Sequence, residues 1–157
     1  MQKITPCLWF NTNVQDVADF YLSIFEQGKI IQQVNYGKNA PMPEGTLMTI
    51  HLSVNGHEFL LLNGGPHFTI TPAISFIVDC DTQEQVDYYW AKLLDGGVAQ
   101  QCGWLTDRFG VSWQIVPGAF LKMLASDDHE AVQRTTAAMM QMIKLDLPAL
   151  ERAFQNK

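Results

Sequence analysis

The strongest constraint on how this chain can fold is an internal echo. Two stretches, about Ile4 to Asn63 and Ala73 to Pro117, run through the same order of elements: strand, helix, strand, strand, strand. In the first, Ile4 to Phe10 reads as a strand, and Asn11, Thr12 and Asn13 offer turn and N-cap chemistry. Val14, Val17, Ala18, Tyr21 and Ile24 then recur at helical spacing within Val14 to Phe25, and Gly28 closes that helix. Strands are expected over Lys29 to Tyr36, Thr46 to Val54 and His57 to Leu62. Asn55-Gly56 forms a two-residue turn between the last two, because a type I′ turn needs positive φ at both central positions. The second stretch repeats this with a strand at Ala73 to Asp79 and a helix from Thr82 that Gly96-Gly97 ends. Strands follow at Val98 to Cys102, Trp104 to Thr106 and Val111 to Val116. An offset of 69 lays Val17 on Val86, Tyr21 on Trp90, Ile24 on Leu93 and Gly28 on Gly97; an offset of 54 lays Gly56 on Gly110 and Phe59 on Trp113.

Beyond Pro117 the pattern becomes helical. Phe120, Met123 and Leu124 mark one short amphipathic helix. Asp127 or Asp128 caps a second that carries Val132, Met139, Met142 and Ile143, and Asp146 begins a third with Pro148 in its first turn. No linker separates this tail, so a single domain over residues 1–157 is expected, with the tail packed on it. A length of 157 residues suits one domain with a genuine core.

Ten basic residues against sixteen acidic give a net charge of −6, which offers phosphate-rich partners no attraction and argues against nucleic-acid binding. The apolar runs, such as Phe59 to Leu62, are too short for a bilayer, and the N-terminus shows no signal-peptide pattern. Cys7, Cys80 and Cys102 are odd in number and widely spaced, as expected of reduced thiols in a cytoplasmic protein.

Local motifs sharpen the reading. The opening Thr5-Pro-Cys-Leu-Trp-Phe10, the helix end Phe20-Tyr-Leu-Ser-Ile-Phe25, the loop Leu62-Asn-Gly-Gly-Pro-His-Phe68, the strand Pro72-Ala-Ile-Ser-Phe76 and the run Cys102 to Pro117 resemble the PhnB-like branch of the glyoxalase/bleomycin-resistance/extradiol-dioxygenase (vicinal oxygen chelate) superfamily. Members of this branch often carry the label 3-demethylubiquinone-9 3-methyltransferase. The resemblance implies an α+β fold of two βαβββ modules, about 4–63 and 73–117, forming a cupped half-barrel sheet, with a helical tail over 118–157. In metal-dependent members four strands each supply one His or Glu to the cup, leaving two open positions for substrate oxygens. The matching positions here fall on Thr5, Leu60, Ala73 and Gln114, and none of their immediate neighbours is His, Glu, Asp or Cys. No metal and no other cofactor is therefore expected.

Strand parity nominates what could line the cup. Met48, Ile50, Leu52 and Val54 belong against a helix, which turns Thr49, His51 and Ser53 to the cup or to solvent. Thr5, Cys7 and Trp9 share one parity, as do Ala73 and Ser75, and Ser112 and Gln114; Trp104 and Asn63 lie near strand ends and His67 in the Gly-Gly-Pro-His-Phe loop. For Trp9 and Trp104 the core is an equal alternative to the pocket, while Trp113 and Phe76, on the opposite parity, are expected in the core. His57 and His129 are read as solvated.

The candidate ligand-binding residues are thus Thr5, Cys7, Trp9, His51, Asn63, His67, Ser75, Trp104 and Gln114, with no catalytic residue assigned. A mostly apolar surface with a few polar groups suits a small, partly aromatic molecule. The first expectation is metal-independent binding of such a molecule. The alternative is a metal-dependent lyase, isomerase or dioxygenase with relocated ligands, with a ubiquinone-pathway methyltransferase third. Against the last, Gly64-Gly65 is followed by Pro66 and a strand-like run, where a cofactor cradle needs a glycine turn opening a helix. Sheet edges that need cover and an apolar surface lead to the expectation of a homodimer.

Overall fold

Alternation and turn chemistry set the first sheet. In the computed structural model, which describes residues 2–157, β1 (Cys7–Phe10) leads through α1 (Val14–Ile24) to β2 (Gly28–Asn35), β3 (Leu47–Val54) and β4 (His57–Asn63). Asn55 and Gly56 take φ of 47° and 81°, the pair of positive values a type I′ hairpin demands, and β3 and β4 pair antiparallel on either side. The strand order is β1-β4-β3-β2, with β1 parallel to β4. Every second residue of β3 (Ile50, Leu52, Val54) is buried together with Leu61, beneath the stripe Val14, Val17, Ala18, Tyr21 and Ile24 of α1. One face of this sheet is covered by its helix, and the other is open.

Strand β1 starts at Cys7 rather than Ile4, which is 94% exposed. Pro6 explains the delay: it has no N–H to give, although its carbonyl accepts from the Leu60 N–H at 2.9 Å. The first helix ends at Ile24 with Phe25 already extended, so Gly28 opens β2 instead of capping α1.

The second sheet repeats the order. β5 (Ser75–Cys80) is followed by α2 (Gln83–Leu94), β6 (Val98–Ala99), β7 (Trp104–Thr106) and β8 (Ser112–Pro117), arranged β5-β8-β7-β6 with β5 parallel to β8. Thr82 caps α2 by accepting from the Gln85 N–H, and Val86, Trp90 and Leu93 form its buried stripe. Leu105, Trp113 and Ile115 are buried on the α2 side, as their parity predicts. The sheet is shorter at β6 and β5 than expected, two residues at β6 and a start at Ser75.

The tail forms α3 (Gly118–Leu124), α4 (His129–Met139) and α5 (Leu147–Gln155), capped at α4 by Asp128 and at α5 by Asp146. Met142 and Ile143 fall beyond α4, in a link whose carbonyls accept the N–H groups of Cys102 and Gly103 at 2.7 Å each. Val116, Phe120, Leu145 and Leu150 make a separate buried cluster. Gln83 ties the link to α2, donating to the Leu145 carbonyl and accepting from the Leu147 N–H. The chain divides into two compact units, 1–70 and 71–157, and the tail belongs to the second. Among the described residues no helix is long and apolar enough to cross a membrane.

Candidate functional site

The register of the first unit defines its open face in rows. Cys7 pairs with Leu60, Leu60 with His51 and His51 with Gln32, so these four side chains run across the sheet. One row on lie Trp9, Leu62, Thr49 and Val34; one row back lie Glu58, Ser53 and Lys29. A bulge at Ile31 keeps Gln32 opposite His51.

Charge concentrates at one place on this face. His51 Nε2 lies 2.8 Å from Glu58 Oε2, and Lys3 pairs with the other carboxylate oxygen, Oε1. The imidazole nitrogen is closed to solvent and lies beside the oxygen without the alignment of a hydrogen bond, so this is a short polar contact. Hydrogen bonding from Lys3, with a smaller contribution from the nearby His51, holds the Glu58 carboxyl below the usual glutamate range. Cys7 is exposed as a residue, but partial desolvation of its sulfur raises the thiol pKa, which disfavours a reactive thiolate.

Trp9 is closed in by its own unit. Its indole N–H donates to the Gly65 carbonyl at 2.8 Å, and its ring meets Phe68 edge-on at 5.0 Å. A Cβ at Gly64 would stand 2.2 Å from the indole, and Gly65 has φ of 88°, so the two glycines are what lets the loop wrap this ring. Of the two roles open to Trp9, the packing one describes its contacts here.

Asn63 has a structural post. It is 6% exposed; its side-chain oxygen accepts from the Val14 N–H at the start of α1, and its amide donates to the Leu47 carbonyl. It faces away from the open rows. His67 is exposed in its loop, and Thr5 is half-buried ahead of β1. His57 and His129 are exposed, as expected.

The open face of the second unit is dominated by hydroxyl and amide groups. Ser75 pairs with Ser112 and Ser112 with Thr106, making a row of three hydroxyls; Ile77, Gln114 and Trp104 make the next. Gln114 donates to Ser75 Oγ at 2.9 Å and Gln100 to Thr106 Oγ1 at 2.8 Å, while the buried Ser112 hydroxyl lacks a hydrogen-bond partner among the described residues. Ser75, Trp104 and Gln114 are thus brought together on one half-buried surface.

The superfamily's metal does not fit these residues. Leu60 and Gln114 reach the open faces at two of the four ligand positions, while Thr5 and Ala73 precede their strands. None of the four side chains is a His, Cys, Asp or Glu, and the described residues contain no group of three or more such side chains able to hold an ion. Sequence reading missed Glu58 and Lys3. Glu58 could have been found, since it shares parity with Leu60 on a strand paired with that of His51; Lys3 precedes any regular element and gives no periodic signal.

Comparison with known proteins agrees with this geometry. The PhnB protein from Bacillus cereus is 35% identical over 74% of this chain and 99% of its own, with a TM-score of 0.66. Protein PA1353 from Pseudomonas aeruginosa (23% identity, 73% of this chain and 96% of its own, TM-score 0.60) shares the fold. So does the fosfomycin resistance protein FosX from Listeria monocytogenes (12%, 78% and 96%, TM-score 0.59). No protein of curated function matches by sequence. The profile of the 3-demethylubiquinone-9 3-methyltransferase family matches residues 2–116, and the chain belongs to that PhnB-like family of the glyoxalase, or vicinal oxygen chelate, superfamily.

Proposed function

We propose that this protein binds a small, partly aromatic molecule on the open sheet face of its first unit, without the metal centre of its superfamily. The observation that supports it is the composition of that face: Leu60 occupies a ligand position, flanked by Leu62 and Cys7, with the Lys3–Glu58–His51 cluster at its side. An apolar platform with one polar anchor is the usual make-up of a small-molecule site. Ser75, Gln114 and Trp104 give the second unit a surface able to hydrogen-bond.

Methyl transfer by a cofactor cradled at Gly64-Gly65 is disfavoured. Those glycines accommodate Trp9, and no helix follows them until α2. Exposed Phe68, Ile74, Ile77 and Val98 support a homodimer, which light scattering tests. Free Cys7, Cys80 and Cys102 support a reducing, cytoplasmic setting.

Elemental analysis of purified protein tests the central reading. Well under one transition-metal ion per chain is expected. About one ion per chain, lost in His51→Ala or His67→Ala, would overturn it and favour a metal-dependent lyase, isomerase or dioxygenase.

A further inference from the structure

The chain carries seven asparagines, and two of them, Asn55 and Asn63, precede a glycine. That pairing matters chemically. A main-chain nitrogen can attack the side-chain amide carbon of the asparagine before it, and glycine, with no Cβ, puts the least bulk in the way. At the other five the next residue is Thr12, Val14, Tyr36, Ala40 or Lys157. The fold treats the two Asn-Gly pairs in opposite ways.

Asn63-Gly64 is closed to this reaction. The Asn63 side-chain oxygen accepts from the Val14 N–H at 3.1 Å, and its amide nitrogen donates to the Leu47 carbonyl at 3.0 Å. The nitrogen that would attack belongs to Gly64, and its N–H donates to the Phe10 carbonyl at 2.9 Å. Freeing these atoms means opening the sheet and the start of α1 together. Asn55-Gly56 is the reverse. Both residues are exposed at the hairpin tip, and nothing lies within 4 Å of where a Gly56 Cβ would stand. Gly56 borders a cavity of about 330 Å³ shared with Gln27, Gly28, Lys29 and Ser53, so water has room beside it. The Asn55 N–H donates to the Gln27 carbonyl, a bond that involves neither the Asn55 side chain nor the Gly56 nitrogen. A two-residue tip can flex into the reactive geometry while the ladder from Val54 and His57 stays paired.

We propose that Asn55 is a site of spontaneous deamidation in the folded protein, and that the fold protects Asn63 from the same chemistry. In the first step the Gly56 nitrogen forms a bond to Asn55 Cγ and the bond from Cγ to Nδ2 breaks. The proton lost by Gly56 leaves with Nδ2 as ammonia. Water then adds to the cyclic imide. Opening at Cγ gives aspartate, and opening at the main-chain carbonyl gives isoaspartate, whose backbone runs through Cβ. Water enters, ammonia leaves, and nothing is oxidised or reduced. Either product makes a chain of net charge −6 more negative. Isoaspartate also lengthens the turn between strands whose register is fixed at Val54 and His57, which loosens the hairpin that carries His51 and Glu58.

The wild-type chain is incubated in mildly alkaline buffer at physiological temperature, folded in one sample and in guanidinium chloride in another. Cleavage after Glu44 and Glu58 puts the two asparagines on different peptides, whose masses report the exchange of ammonia for water. In the folded protein Asn55 is expected to convert on the order of tenfold faster than Asn63, or more, and in denaturant the two rates should converge. Equal rates in the folded protein would overturn the proposal. So would an Asn55 that stays intact when folded but converts when denatured, or a failure of either asparagine to convert in denaturant.

Discussion

The two modules share one strand order and one helix placement, yet they are fastened differently. The first turns its β3–β4 hairpin on two residues, Asn55 and Gly56. The second turns β7 into β8 around Asp107, a carboxylate only 3% exposed. One oxygen accepts the N–H groups of Phe109 and Val111, and the other accepts the Trp113 indole N–H at 2.9 Å. The first module ties its helix down with Asn63 from its last strand, whereas the second caps its helix locally with Thr82. The open faces diverge too, ionic in the first and amide–hydroxyl in the second. One backbone plan thus leaves the braces and the exposed chemistry free to vary. Parity, turns and burial specify the topology, and each module meets them with different polar side chains.

The comparison can be broken by removing the braces. Asp107→Ala strips three hydrogen bonds to a buried carboxylate. A loss of about 4 kcal/mol is expected in urea unfolding, the largest effect of the set. A loss below about 1 kcal/mol would show the brace to be dispensable. Leu145→Ala empties the fully buried centre of the tail cluster and is expected to cost about 3 kcal/mol. Gly64→Ala forces a methyl onto the Trp9 indole, with an expected loss of about 2 kcal/mol and a changed near-ultraviolet circular dichroism spectrum. An unchanged tryptophan signal would place the ring elsewhere.

The smallest effect concerns pH. The Glu58 carboxyl titrates lower in the folded protein than the unfolded value of about 4.3. Its contribution to stability is therefore present above that value and lost as pH falls through the folded one. Lys3→Gln removes the main cause, so the Glu58 midpoint followed by carboxyl NMR should move back up, with little change in stability at neutral pH because the exposed Lys3 ammonium leaves the pair screened by solvent. A midpoint that stays put would remove Lys3 from the cluster.

Much of this was legible in the sequence, for identifiable reasons. Helical spacing located α1 and α2, the Asn-Gly pair located the first hairpin, and alternation put Ile50, Leu52 and Val54 against a helix. Parity also nominated Ser75 and Gln114, and Trp104, named for its place near a strand end, shares their face. Asn63 was nominated only for lying near a strand end, which says nothing of the helix N-terminus that it serves. Asp107 falls between two expected strands, and nothing in that position points to the indole that it holds six positions away on the next strand.

The parallel pairing of β1 with β4, and of β5 with β8, has a kinetic consequence. The opening strand of each module finds its hydrogen-bond partner only in the closing one, so the helix and two intervening strands must be made before the opening strand's ladder forms. Such long-range closure is slow compared with a hairpin. During synthesis β1 has to wait, unpaired, until β4 has left the ribosome. The first unit, whose internal contacts close within residues 1–70, can then complete its sheet while the second is still being translated.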